Sequence, residues 1–281
     1  MNLKTLLRFI RFEHTIFSLT FAYAGAMLAY GGIIPLEKFF WITLALFGAR
    51  SAAIVLADLV DREIDAKNPR TKDRFLPSGK VSVEEARSII IMSYLLLFFS
   101  AYQLNFLCFI LSPIPVLIAL AYPYSKRYTS LVHILLGMNL AFAPFGGWIA
   151  ITASIELPAL ILAAAVTFWV AGFDVIYSCQ DIKFDRKFGL HSIPARFGVK
   201  NGLLISSLLH ALTILLLLSV FFILELGMFY LTGVAVIAAL LIYEHLIVGS
   251  QSLEKVPVAF FNINAAVSVS IFVFVALDLV I

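Results

Sequence analysis

The chain has 281 residues, 62% of them apolar, a mean hydropathy of +1.01 and only 13% charged residues. That composition excludes a soluble globular domain and points to an all-α, polytopic membrane protein. The net charge of +3 matters less than where the positive residues lie, and no nucleic-acid partner is expected.

Residues 1–13 carry Lys4, Arg8 and Arg11 between leucines and phenylalanines. The apolar run that follows is too long for a signal peptide and ends in no small-residue cleavage site, so an interfacial amphipathic helix leading into the first span is expected. Apolar stretches of spanning length then fall at 16–34, 39–60, 86–103, 106–122, 131–151, 160–178, 203–223, 228–246 and 258–279. This predicts nine spans, the third and fourth nearly fused around Leu104 and Asn105. Alternation at period two is absent, which argues against a barrel. No soluble domain, linker or low-complexity tract interrupts the chain, so 1–281 reads as one transmembrane domain.

Threading nine spans puts every Lys and Arg except Lys38 and Arg50 on one side. Such a bias places the N-terminus and the charged loops in the cytoplasm and the C-terminus outside the cell (inner) membrane. Cys108 and Cys179 fall in or at the end of spans, far apart in sequence, and support neither a disulfide framework nor a zinc site.

Two acidic clusters stand at the cytoplasmic ends of spans, where carboxylates are costly unless neutralised. The first is Asp58, Asp61 and Asp65 in ADLVDREID; the second is Asp174, Asp181 and Asp185 in DVIYSCQDIKFD. Steps of three and four, with Tyr177 as a member of the second set, put each cluster on one helix face. No cation shares either stripe, so an external one is expected. Paired hard oxygen ligands suit Mg²⁺, which shares its coordination shell with substrate phosphates.

Basic residues follow both clusters. After Asp65 come Pro69, Arg70, Lys72, Arg74 and Lys80, then the turn Pro77-Ser78-Gly79. Ser82 and Glu85 form a capping box for the next helix. After Asp185 come Arg186, Lys187, Gly189, His191, Ser192 and Arg196. Arginine forks and lysine point charges suit the oxygens of a diphosphate, although such residues also serve as topology signals and lipid headgroup contacts. His14, His133, His210 and His245 are scattered without metal spacing and read as packing residues. Neither a P-loop, a GxSxG elbow nor a dinucleotide fingerprint occurs. The 26 Phe, 10 Tyr and 3 Trp are enough to line a tunnel for an isoprenoid tail and shelter a carbocation.

DREIDAKNPRTKDR with LPSG, and DxxYxxxDxxxD followed by KxGLxSxPxRFG, resemble the UbiA superfamily of intramembrane prenyltransferases over essentially the whole chain. The resemblance implies nine transmembrane helices around a central cavity, and a catalytic role for Asp61, Asp65, Asp181 and Asp185. These four, with Asp58 and Asp174 nearby, would hold Mg²⁺ against an allylic polyprenyl diphosphate. YPYSKR at 122–127 is similar to a basic segment of the family. Substrate contacts are therefore expected from Arg70, Lys72, Arg74, Lys126, Arg127, Tyr177 and Lys187, with Arg50 or Arg11 meeting an acceptor carboxylate. One departure is Ala57 where the family usually has Asn, with Asp58 one residue on and about 100° around the helix.

HTIF at 14–17, Tyr243-Glu244-His245 and AFFNIN at 259–264 look most similar to the menaquinone-pathway branch. The function implied is Mg²⁺-dependent prenyl transfer to an aromatic quinone precursor, of 1,4-dihydroxy-6-naphthoate or 4-hydroxybenzoate type. Rival readings are a prenyltransferase with a lipid, chlorophyll or haem acceptor, and a cation-binding transporter. The transporter would need polar residues at mid-membrane, and apart from Arg50 and Asp174 the spans are expected to offer few.

Overall fold

The computed structural model describes residues 2–248, 256 and 259–281. Lys255, the last basic residue used for orientation, and Val258, the expected start of the last span, lie outside them. Described residues outside turns and loops are all helical, as expected of a chain whose backbone must be satisfied inside lipid. The short α1 (Leu3–Phe9) precedes α2 (Phe12–Tyr30) and α3 (Leu36–Val60). After the single turn α4 (Arg62–Asp65) come α5 (Val83–Leu104), α6 (Phe106–Leu111), α7 (Pro113–Ser125), α8 (Val132–Thr152) and α9 (Leu157–Ser178). The chain closes with α10 (Ile182–Phe188), α11 (Ile193–Ile223), α12 (Met228–Ile247) and α13 (Asn264–Val280).

Among the described residues eight helical stretches are long and apolar enough to cross a membrane, and a ninth, Thr15–Tyr30, is apolar but shorter. It stops before the expected end at 34 because Gly31 takes the left-handed conformation (φ 74°) that ends helices. The third and fourth spans separate cleanly at Asn105. Its extended backbone breaks the helix, and its side chain accepts from the Cys108 N–H and donates to the Ile149 carbonyl at 2.8 Å. The capping box forms as expected, Ser82 Oγ accepting from the Glu85 N–H and the Glu85 carboxylate from the Ser82 N–H.

Neighbouring helices form a ring. α2 packs on α3, α3 on α5 and α7, α7 on α8, α8 on α9, and so on through α11 and α12 to α13, which returns to α2. Close approach of α2 and α8 requires glycine. A Cβ on Gly25 would lie 2.3 Å from the Pro144 carbonyl oxygen, and one on Gly147 2.1 Å from that of Ala22. α1 does more than lie at an interface, since Phe9 and Ile10 are buried against Val55, Leu76 and Val81. The N-terminal arm is thereby clamped onto the first charged loop, and Arg11 follows in a left-handed conformation at φ 49°.

Candidate active site

The charged ends of α3 and α9 and the loops after them converge on one pocket. It is lined by Asp61, Asp65, Asp174, Asp181 and Asp185 together with Arg70, Arg74, Lys126, His133 and Tyr177. A larger cavity of about 590 Å³ shares many of these residues and runs inward past Ala57 and Asp58 to Arg50, Phe173 and Phe261. Its size is that of a small-molecule site.

The stripes do not lack cations; the cations arrive from elsewhere in the chain. Arg11 Nη2 bridges both oxygens of buried Asp58 at 2.9 and 3.1 Å, and Arg74 Nη1 stands 3.5 Å away. Arg74 also donates to Asp65 at 2.8 Å. Lys126 Nζ lies 2.5 Å from Asp61 Oδ2. Burial pushes the Asp61 carboxyl up, and Lys126 opposes that. Arg70 grips Asp181 with a fork, Nε to Oδ1 at 3.0 Å and Nη2 to Oδ2 at 2.5 Å, while its Nη1 donates to the Tyr177 hydroxyl at 2.8 Å. Asn68 steadies this crossing, its amide donating to Asp181 at 3.3 Å and its carbonyl oxygen accepting from the Arg70 N–H.

Three residues that the sequence did not single out for this role complete the pocket. His133 on α8 accepts the Ile193 N–H at Nε2, 3.1 Å, so the proton of its neutral ring is on Nδ1, which donates to Asp174 at 2.6 Å. Ser192 caps α11 and donates to Asp185 at 2.6 Å. Asn68 is the third. Ser192 and Asn68 sit inside the charged motifs and were findable there. His133, expected to be a polar packing residue, is buried as such but also lines the pocket and bonds Asp174, 41 residues away, a pairing with no local signal.

Other expected contacts are not brought in. Lys72 lies exposed on the first loop. Arg127 is drawn to the Val60 carbonyl, 3.3 Å, and over the Tyr124 ring. Lys187 follows Asp185 by two residues, about 200° around α10, and lies exposed near the Phe188 ring. Arg186 donates to the Ala195 carbonyl, and Arg196 lies over Phe197. The second loop thus supplies acids to the pocket but none of its bases. Cys108 and Cys179 are both free thiols.

Among the described residues no three His, Cys, Asp or Glu side chains already stand close enough to chelate a metal. The donor set nevertheless fits a hard divalent cation. Five carboxylates line one pocket, and Asp61 Oδ1 is buried without a hydrogen-bond partner among the described residues. An unsatisfied anionic oxygen is costly unless a cation reaches it. Arg70, Arg74 and Lys126 are held at the same carboxylates, placed to meet a polyanion entering between them.

Comparison with known proteins identifies the family. The family model for the UbiA prenyltransferase family matches residues 18–266. The 4-hydroxybenzoate octaprenyltransferase of Xanthomonas campestris pv. campestris (strain B100) is 33% identical over 252 residues, covering 90% of this chain and 83% of that protein. That of Cronobacter sakazakii is 33% identical over 253 residues, covering 88% and 84%. Among solved structures, the apo form of a UbiA homologue from Aeropyrum pernix K1 has a TM-score of 0.86 at 38% identity, covering 95% of this chain and 98% of that one. A homologue from Archaeoglobus fulgidus bound to DMAPP and Mg²⁺ has a TM-score of 0.74 at 20% identity, covering 97% and 99%, a likeness of fold alone. With the family matched over most of its length and the helical ring reproduced, the chain belongs to the UbiA prenyltransferase family, as a multi-pass membrane enzyme.

Proposed function

We propose that this aromatic prenyltransferase moves a polyprenyl group from an allylic polyprenyl diphosphate to an aromatic quinone precursor, of 1,4-dihydroxy-6-naphthoate or 4-hydroxybenzoate type, with Mg²⁺. One observation carries the reading: a pocket of carboxylates interleaved with Arg70, Arg74 and Lys126 opens directly into an aromatic-walled cavity inside the bundle. The names of the curated relatives support the donor and acceptor classes.

Asp61, Asp65, Asp181 and Asp185 would hold the metal, with Asp58 and Asp174 beside them. Bound Mg²⁺ neutralises and orients the leaving diphosphate. Arg70, Arg74 and Lys126 exchange their carboxylate partners for diphosphate oxygens as the substrate enters. Breaking the C–O bond sends its electron pair to the diphosphate and leaves an allylic cation in the apolar cavity, away from water. The electron-rich ring attacks that cation, forms the new C–C bond and then loses the proton of the attacked carbon to the released diphosphate, which restores the aromatic ring. Arg11 is engaged with Asp58, so Arg50, whose buried Nε has no hydrogen-bond partner among the described residues, is the residue for the acceptor's carboxylate.

The whole of 1–281 acts as one transmembrane domain on this reading, in the cell (inner) membrane with its active-site loops in the cytoplasm and Ile281 outside. Cysteine substitutions at Ser78 and Ile281 should label from opposite sides, and labelling from the same side would refute the orientation. The activity itself is tested with purified protein, Mg²⁺, a labelled polyprenyl diphosphate and a panel of acceptors. Label should move to an aromatic acid and stop with EDTA. Transfer only to a lipid or porphyrin acceptor would overturn the assignment.

A further inference from the structure

The mechanism leaves a buried polar network unused on the α9, α11, α12 and α13 side of the ring. Glu244 on α12 is fully buried, and its Oε1 accepts from the Asn264 amide at 3.4 Å. The Asn264 carbonyl oxygen in turn accepts the Trp169 indole N–H at 3.0 Å. Behind them, His210 Nε2 meets the Trp169 carbonyl at 3.2 Å. A carbonyl only accepts, so His210 carries its proton there and takes a hydrogen bond at Nδ1 from His245 Nε2, 3.0 Å away. Room for the His210 ring comes from Gly172, where a Cβ would stand 2.3 Å from it. Glu244 Oε2 finds no hydrogen-bond partner among the described residues. A half-satisfied buried carboxylate does not increase stability, so its presence at this depth calls for another explanation.

Glu244 and Asn264 belong to the YEH and AFFNIN segments, which the charged pocket does not use. The structure packs the two segments together behind a recess. Trp169 and Asn264 form its wall beside Ser18, Phe21, Phe173 and Phe261, and Arg50 stands at its edge. Phe21 and Phe173 lie 4.8 and 5.1 Å from Trp169, ring to ring. Arg50, Phe173 and Phe261 also line the main cavity, so the recess opens from it. On the other side of Arg50 a second branch is lined largely by alanine and leucine, including Ala45, Leu97 and Leu104. Two branches of different chemistry therefore diverge at one cation. Ser112 and Asn139 interrupt this branch, yet its mainly aliphatic wall suits a polyprenyl tail. The recess differs in its aromatic walls, Phe17, Phe21, Trp169, Phe173 and Phe261, which beside Arg50 suit a flat aromatic acid.

Building on the function proposed above, we propose that the Phe21–Trp169–Phe173 recess is the acceptor's pocket. Glu244 is a positioning residue that, through Asn264, fixes the Trp169 wall against which the acceptor ring lies. Steady-state kinetics with 4-hydroxybenzoate and 1,4-dihydroxy-6-naphthoate test this in Glu244→Leu, Glu244→Gln and Asn264→Leu. Gln keeps an oxygen for the Asn264 amide, so its acceptor KM should stay within about twofold of wild type. Both Leu variants lose a buried hydrogen bond and should raise the acceptor KM about tenfold or more, leaving the donor KM unchanged. An unchanged acceptor KM in both Leu variants, or a parallel rise in the donor KM, would overturn the assignment. Should the Leu variants fail to fold, photolabelling of the wild-type protein with 4-azidobenzoate decides. Acceptor-protected label on the recess residues supports the pocket, and label elsewhere overturns it. A wild-type protein that prenylates no aromatic acid would instead overturn the function on which the pocket rests.

Discussion

The two aspartate motifs look alike as strings but are held in different ways. In the first, each aspartate meets a cation: Asp58 meets Arg11 of the N-terminal arm, Asp61 meets Lys126 at the end of α7, and Asp65 meets Arg74 of its own loop. In the second, Asp174 is held by His133 and Asp185 by Ser192, both as neutral donors, and only Asp181 is reached by a cation, Arg70 from the first loop. The first loop therefore supplies two of these four cations, Arg70 and Arg74, and the second supplies carboxylates on a hydrogen-bonded scaffold. Cation-held acids can exchange their partners when a polyanion arrives, whereas acids fixed by neutral donors keep their place and orientation.

The sharpest way to break this comparison is to remove one acid from each motif. Asp61→Ala and Asp181→Ala should each cut turnover about 10³-fold or more, because each removes a charge at the leaving group. Both variants should stay folded in detergent, since each also frees a cation that can turn toward solvent. Retained Mg²⁺-dependent transfer in both would remove the metal assignment. Next in size is His133→Leu. It leaves Asp174 without its donor, and a loss of about 10- to 100-fold in kcat/KM is expected from misorientation of the carboxylate. If the variant matched wild type, the neutral scaffold would not matter.

A smaller gain is expected from Ala57→Asn. Ala57 lines the cavity beside Asp58, which Arg11 and Arg74 already occupy. A new amide oxygen there should tighten the apparent Mg²⁺ requirement by at most about tenfold, or about 1.4 kcal/mol. Lower activity would show that Asp58 already fills the ligand position. Smallest of all, Lys72→Ala and Lys187→Ala should change kcat/KM by less than about twofold, because neither side chain reaches the pocket. A tenfold loss in either would mean that these loops close over the substrate in another arrangement.

Much of this molecule was legible from one dimension. The apolar runs located the helices because a spanning segment must be apolar over its length and must satisfy its backbone internally, both of which are local properties. The aspartates and Arg70, Arg74 and Lys126 were findable because they stand in or beside dense motifs at helix ends, where charge in an apolar chain is conspicuous. The same density misled at Lys72, Arg127 and Lys187. Proximity in sequence does not say which way a side chain turns, and Lys187 leaves α10 on the side away from Asp185. The mid-membrane polar residues were undercounted for a related reason. Glu244 sat in a similarity motif beside a histidine, and nothing local showed that it would be fully buried against Asn264.

By itself, the sequence determined that the chain is a helical membrane protein with two acid-rich ends, because hydropathy and charge act residue by residue. Which partner each carboxylate takes was decided only by the tertiary structure. Pairing His133 with Asp174, Lys126 with Asp61 and Arg70 with Asp181 joins residues 41, 65 and 111 positions apart. Hydrogen bonds and ion pairs act over a few ångströms, so such partners exist only once the helical ring has closed and brought distant segments to one end of the bundle.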